Sequence, residues 1–194
     1  MNSRRQRFLA DGFGGGFAWI DWVNSATWDG FGRLTDRLAD PNWVASFFEV
    51  YGWPQVAIAP KSALALRARL RDIAEVLAAG QNISPPQLNW VNQVLAAPAR
   101  RKLSRSSGEY ILQLEGKAAG WSWTQSEIVA SLAVLLTQHQ SRRVKICPNP
   151  GCRWLFYDRT NGNTRRWCND KTCGNRDKVR RLRQRQQRLD LTNS

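Results

Sequence analysis

The sequence predicts a mainly α protein with small α+β character. A helical N-terminal domain with one β-hairpin precedes a small four-cysteine module of treble or ribbon type that ends in a basic helix. Three observations carry this. Capped segments with helical apolar spacing recur through the first 141 residues, and one stretch, Glu109–Glu115, alternates like a strand. All four cysteines and most of the net charge lie in the last quarter. The expected division is a flexible lead-in over 1–16, a mostly helical domain over 17–141, the cysteine module with its helix over 142–190, and a tail over 191–194.

The elements follow in order. Phe17–Asn24 is apolar with single polar interruptions and predicts one or two helical turns, with Trp19, Ile20 and Val23 on one face. Asp21 and Asn24 are polar in this aromatic setting; they either cap and hydrogen-bond locally or line a pocket for a small molecule. Asp40-Pro41 is a helix start, and Gly52 with Pro54 is its stop. Lys61–Ala79 predicts the longest body helix, with Leu64, Ala68, Ile73, Val76 and Leu77 inward and Gly80 as its end. Ser84 and Gln87 form a capping box for a helix that exits at Pro98. Residues 100–108 (RRKLSRSSG) read as a basic loop. Glu109–Glu115 reads as a strand paired across Gly116 with Ala118–Trp123. Thr124 and Glu127 predict a second capping box opening a helix over Ser126–Gln140, with Ile128, Leu132 and Leu135 inward.

The 194 residues are 42% hydrophobic and 10% aromatic, with ten Trp, which is enough for a buried core. The ten Trp are expected in core or interface positions. No run of about 18 apolar residues occurs, so no membrane span is expected. Glycines replace the apolar stretch of a secretory signal at the N-terminus, so none is expected, and cysteines confined to the last quarter suit a local metal knot in a reducing compartment, so a cytoplasmic protein is expected. No catalytic set can be assembled around His139, the one histidine. It is expected at a helix C-terminus, with metal ligation as the alternative should one cysteine not serve. The chain is therefore not expected to be an enzyme.

The cysteines, Cys147, Cys152, Cys168 and Cys173, follow C-x4-C-x15-C-x4-C. Two thiolate pairs, each closed by a turn, suit one structural zinc in a closed tetrahedral site. Disulfides and a redox role are the alternatives. Trp154, Phe156 and Trp167 are expected to cover the sulfurs, Leu155 and Tyr157 to mark a short strand, and Asp158 to open a turn through Asn161-Gly162-Asn163.

Residues 142–194 carry 15 Lys or Arg against four Asp or Glu, while residues 1–141 carry 14 against 11. Four thiolates on one zinc ion would still leave the module at about +9. The helix after Cys173 supplies much of this charge, and a polyanion is the expected partner. Arg176, Lys178, Arg180, Arg181 and Arg183, with Arg165 and Arg166 from the loop, are the candidate nucleic-acid contacts. Arg176 has an alternative role in pairing with Asp158 or Asp170, and Asn175 in capping the helix. DNA is the leading partner. RNA binding or a zinc-stabilised protein–protein module is the alternative.

The segment WLFYD…RRWCNDKTCGNR resembles the CGNR zinc-finger family, in Phe156, Asp158, Arg165, Arg166, Trp167, Cys168 and Cys173-Gly174-Asn175-Arg176. The body resembles that finger's usual N-terminal companion, the ABATE domain, through Asp21-Trp22-Val23-Asn24-Ser25. The resemblance implies a stress-related bacterial transcription regulator with a DNA-binding finger. The glycines at 12–16 depart from the pattern. A small-molecule effector for the body is a further expectation. A homodimer would suit a palindromic site, although no heptad marks one.

Overall fold

Apolar spacing and local caps set the helices of the body, and a computed structural model of the chain shows where their faces meet. It describes residues 16–96, 101–106, 108–114 and 120–192. Residues 1–15 of the expected lead-in over 1–16 and the exit at Pro98 lie outside these residues. The elements are α1 (Ala18–Val23), β1 (Ala26–Trp28), β2 (Leu34–Asp36), α2 (Pro41–Tyr51), α3 (Pro60–Ala78), α4 (Pro85–Leu95), β3 (Arg101–Ser106), β4 (Glu109–Leu114), α5 (Trp121–Thr137), β5 (Val144–Ile146), β6 (Leu155–Tyr157) and α6 (Asn175–Thr192). The fold is mainly α. Among the described residues its three sheets are antiparallel pairs, β1–β2, β3–β4 and β5–β6.

The caps expected of α2 and α4 are present. Asp40 Oδ1 accepts from Asn42 N at 2.9 Å, and Gly52 closes α2. Ser84 and Gln87 exchange both bonds of a capping box. Short α1 is buried on every side: all six of its residues are inaccessible, because α3 and α5 pack around it. Trp22 anchors an aromatic cluster with Phe47 (centroids 5.1 Å apart), Trp121 (5.5 Å) and Trp43 (6.4 Å). Ile128, Leu132 and Leu135 of α5 complete the core, as their spacing predicts. None of the ten Trp is exposed.

Four expectations are corrected. The inward stripe of α3 is Ala63, Leu66, Leu70, Ile73, Ala74 and Leu77, while Leu64 is 42% exposed and Ala68 lies at the surface. Residues 101–106 are a strand, not a loop. They pair with β4 in the register Arg101↔Leu114 to Ser106↔Glu109, so the partner of Glu109–Leu114 precedes it in the chain. Helix α5 begins at Trp121, capped by Gly120. Thr124 is therefore inside it, buried, its hydroxyl donating back to Gly120 O at 3.4 Å. His139 lies beyond that helix in a left-handed turn (φ 56°) and is exposed, away from the cysteines.

The cysteine module is packed on the body. Val144 and Leu155 belong to the same buried cluster as Ile20, Leu70 and Leu132. Asn24 acts as a strand edge for β6, donating from Nδ2 to Leu155 O at 2.7 Å and accepting from Leu155 N at 3.0 Å.

Candidate metal centre

Strand β5 runs directly into Cys147, and the turn Pro148–Cys152 folds back so that Cys147 N donates to Trp154 O at 2.8 Å. Asn149 shapes the turn: its Oδ1 accepts from Gly151 N at 3.1 Å, and its carbonyl accepts from Cys152 N at 2.9 Å. The second pair is set by Asn169, whose Oδ1 accepts from Lys171 N and Thr172 N at 2.9 and 3.2 Å. This caps a wide turn over Asp170–Gly174 that carries Cys173 into α6. Asn175 Nδ2 donates to Lys171 O at 2.9 Å, so its amide ties the helix to this turn.

The four Sγ atoms lie within 4.8 Å of one another. Cys152–Cys168 and Cys168–Cys173 are 3.6 and 3.7 Å apart. A tetrahedron with metal–sulfur bonds of about 2.3 Å has edges of about 3.8 Å. All four cysteines are free thiols rather than disulfides. Phe156 and Trp167 are buried against them and Trp154 packs alongside, which keeps water away.

The protonation of the cluster also asks for a cation. Hydrogen bonds from Cys152 and Cys168 hold the Cys147 thiol far below its usual range. The same contacts, with burial, push the Cys152 and Cys168 thiols up. Four thiolates this close repel one another, and a cation bound among them relieves that repulsion. Asn149 Nδ2 lies 3.5 Å from Cys173 Sγ, placed to donate to a thiolate. The donor set fits one structural zinc ion.

A family model for the CGNR zinc finger matches residues 143–186, and one for ABATE, described as "Putative stress-induced transcription regulator", matches residues 16–139. The chain belongs to the ABATE family and carries a CGNR zinc finger. No curated protein matches the chain.

Within the CGNR finger the centre of the polar network is Asp158, which is fully buried. Its Oδ1 accepts from Thr160 N at 2.9 Å and Thr160 Oγ1 at 2.6 Å. Its Oδ2 accepts from Lys145 Nζ at 2.6 Å and Arg165 N at 2.7 Å. Burial alone would raise this carboxyl, but the Lys145 ammonium and the other three donors outweigh it and hold the group well below the usual range.

The expected nucleic-acid residues separate into two groups. Arg165 is turned inward: its guanidinium donates to Trp167 O at 2.9 Å and to Cys168 O, and lies over Phe156 at 4.8 Å. It braces the knot instead of facing outward. Arg176 pairs with neither Asp158 nor Asp170; it lies over the ring of Phe31 at 4.5 Å. Arg166 is exposed beside Trp167. Lys178, Arg180, Arg181 and Arg183 are exposed along α6. Arg180 and Arg181 contact Asp177, a nearly buried carboxylate in the first turn, at 2.5 and 2.9 Å.

Asp21 and Asn24 are both buried and tied to the fold. Asp21 Oδ2 accepts from Tyr51 OH at 2.5 Å, and Asn24 holds β6. Neither lines the apolar cavity of the body. That cavity, of about 520 Å³, is walled by Trp22, Leu38, Val44, Phe48, Ile58 and Leu64. Sequence reasoning missed Lys145, Asn149, Asp177 and Phe31. It also missed Asn169, for which a signal existed: an Asn whose side chain can bond an amide two residues on is a recurrent turn motif. No helix among the described residues is long and apolar enough to cross a membrane.

Proposed function

We propose that this protein is a DNA-binding transcription regulator, in which the zinc knot holds the base of α6 and the rest of that helix contacts duplex DNA. The observation that carries this is the helix itself. Its 18 residues extend for about 27 Å. Every residue from Lys178 to Arg188 is exposed, and six of these eleven are cationic. Such a helix is self-repelling in water, and phosphates relieve the repulsion. Lys178, Arg183, Arg185 and Arg188 are the phosphate contacts in this reading, with Arg166 from the loop. The guanidinium fork of Arg180 or Arg181 suits a base edge once Asp177 has fixed its direction.

The body supplies the regulatory half. Its apolar cavity is of a size that takes a small, mainly apolar molecule. The protein would act in a reducing compartment, where the four thiols remain available to zinc.

The test is binding of the zinc-loaded protein to duplex DNA over a salt series. Log affinity is expected to fall linearly with log salt. Changing Arg183 and Arg185 to Glu together is expected to abolish binding with zinc content unchanged. Stronger retention of RNA at matched salt would favour the RNA reading. Unchanged affinity in the double variant would leave a protein–protein module.

A further inference from the structure

The β1–β2 hairpin belongs to the body, yet its tip stands against the finger. Gly30 N donates to Gly151 O of the first cysteine turn at 2.9 Å. Neither glycine has room for a side chain. A Cβ on Gly30, which is at φ 90°, would collide with the Arg176 guanidinium, and one on Gly151 would lie 2.6 Å from Gly30 O. Asp29 fixes the tip by accepting from Phe31 N at 2.7 Å and Arg33 N at 3.2 Å. The joint is thus closely fitted, and what it presents is unexpected: Phe31 is 82% exposed.

Phe31 is one wall of a cleft of about 750 Å³. The cleft is also lined by Trp167 and Lys171 and, from α6, by Arg176, Asp177, Arg180 and Arg183. An exposed aromatic ring with Arg176 over one face at 4.5 Å, and with Lys171, Arg180 and Arg183 lining the same cleft, is the combination that engages a nucleic-acid strand. Cations take the phosphates, and a ring packs on sugar or base. Two carboxylates stand nearby, Asp29 in the tip, bonded to its own turn amides, and Asp177 in the cleft, paired with Arg180 and Arg181; the four cations of the cleft outnumber them.

We infer that the β1–β2 hairpin tip is part of the DNA interface, with one strand of the duplex lying in the cleft between it and α6 and Phe31 packing against that strand's sugar–base edge. This rests on the DNA-binding reading above and extends it: the body, and not only the finger, touches DNA. Lys171, Arg176 and Arg183 serve the phosphates of the enclosed strand, and Arg180 stays directed by Asp177.

The experiment compares full-length, zinc-loaded wild type with Phe31→Ala, Phe31→Trp and Arg183→Ala for duplex affinity across a salt series. Phe31→Ala is expected to lose about tenfold in affinity with the salt slope unchanged, because it removes packing and no charge. Phe31→Trp is expected to retain affinity. Arg183→Ala is expected to reduce the slope by about one. Wild-type affinity in Phe31→Ala, with Arg183→Ala still weakened, overturns the hairpin inference and leaves the DNA reading standing. No duplex affinity in the wild type overturns both. A photo-crosslinking phenylalanine analogue at position 31 gives an independent check. It is expected to attach to DNA, while the same analogue at exposed Leu103, on the other hairpin of the body, is not. Attachment at neither position or equally at both overturns the inference.

Discussion

Trp22 and Asp158 lie at the centres of the body and the finger, and both are completely buried. Around Trp22 stand aromatic rings and the aliphatic faces of α3 and α5. Around Asp158 stand an ammonium, a hydroxyl and two backbone amides. Exclusion of water therefore drives the body, at about 25 cal/mol for each Å² of apolar surface removed from solvent. The finger has only five buried residues in its own apolar cluster, three of them cysteines. It depends instead on a metal ion and a buried charge, each of which can be withdrawn chemically. The two halves should consequently fail under different conditions.

The largest expected effect comes from removing zinc. Structural zinc contributes on the order of 10–16 kcal/mol to the folding of small finger peptides. A strong chelator is expected to release protection of backbone amides over 143–174 in hydrogen exchange, while α3 and α5 keep theirs. Simultaneous loss over both regions would break the comparison, because it would make the body's core dependent on the metal.

Next in size is Asp158→Asn. It leaves the partly buried Lys145 ammonium without its counter-charge and a neutral amide amid four donors, for an expected loss of about 3 kcal/mol in urea unfolding of the finger at neutral pH. The pH dependence has a definite sign. The folded carboxyl lies below the ordinary aspartate value of 3.8. Its contribution is therefore complete above that value and disappears as pH falls through the lower folded value. Wild type is expected to lose finger stability in that acid range, and Asp158→Asn to lose less, with zinc release measured in parallel.

The difference between the halves also explains what the sequence disclosed. Asp40 with Gly52, the Ser84–Gln87 box and the cysteine turns are local, made by residues a few positions apart, so spacing reveals them. Helix α3 was legible as a helix but not in phase: the run Ala63-Leu64-Ala65-Leu66 is apolar on every side, and only tertiary packing, against α1 and β5 among others, selects Leu66 over Leu64. Arg101–Ser106 hides a strand under a loop-like composition, because its strand character comes from pairing with β4. In the finger, the cysteine ligand set was visible and the roles of the arginines were not. Arg165 and Arg176 stand in the sequence as nucleic-acid candidates, and nothing in it announces that one also donates to carbonyls of the knot and the other lies over a ring from the body. Asn24, 131 positions from Leu155, carries no local mark of what it holds.

The smallest predicted effects concern the seam between the halves. Asn24→Ala deletes both bonds to Leu155 and leaves a buried N–H and C=O without those partners, an expected loss of about 2 kcal/mol. The second tie is weaker. Arg71 donates to Arg153 O at 2.9 Å and pairs with Glu75 at 3.0 Å, while Glu75 also meets Arg153 at 3.2 Å near the surface. Arg71→Ala is expected to change stability by about 0.5 kcal/mol, and less as salt is raised. Because Asn24 acts through desolvated hydrogen bonds, its loss should be insensitive to salt. Urea midpoints for both variants at low and high ionic strength separate the two mechanisms. An Arg71→Ala effect as large and as salt-independent as that of Asn24→Ala would mean that the halves are held together by charge as firmly as by the buried edge of β6, and the seam would then belong with the finger's chemistry rather than the body's.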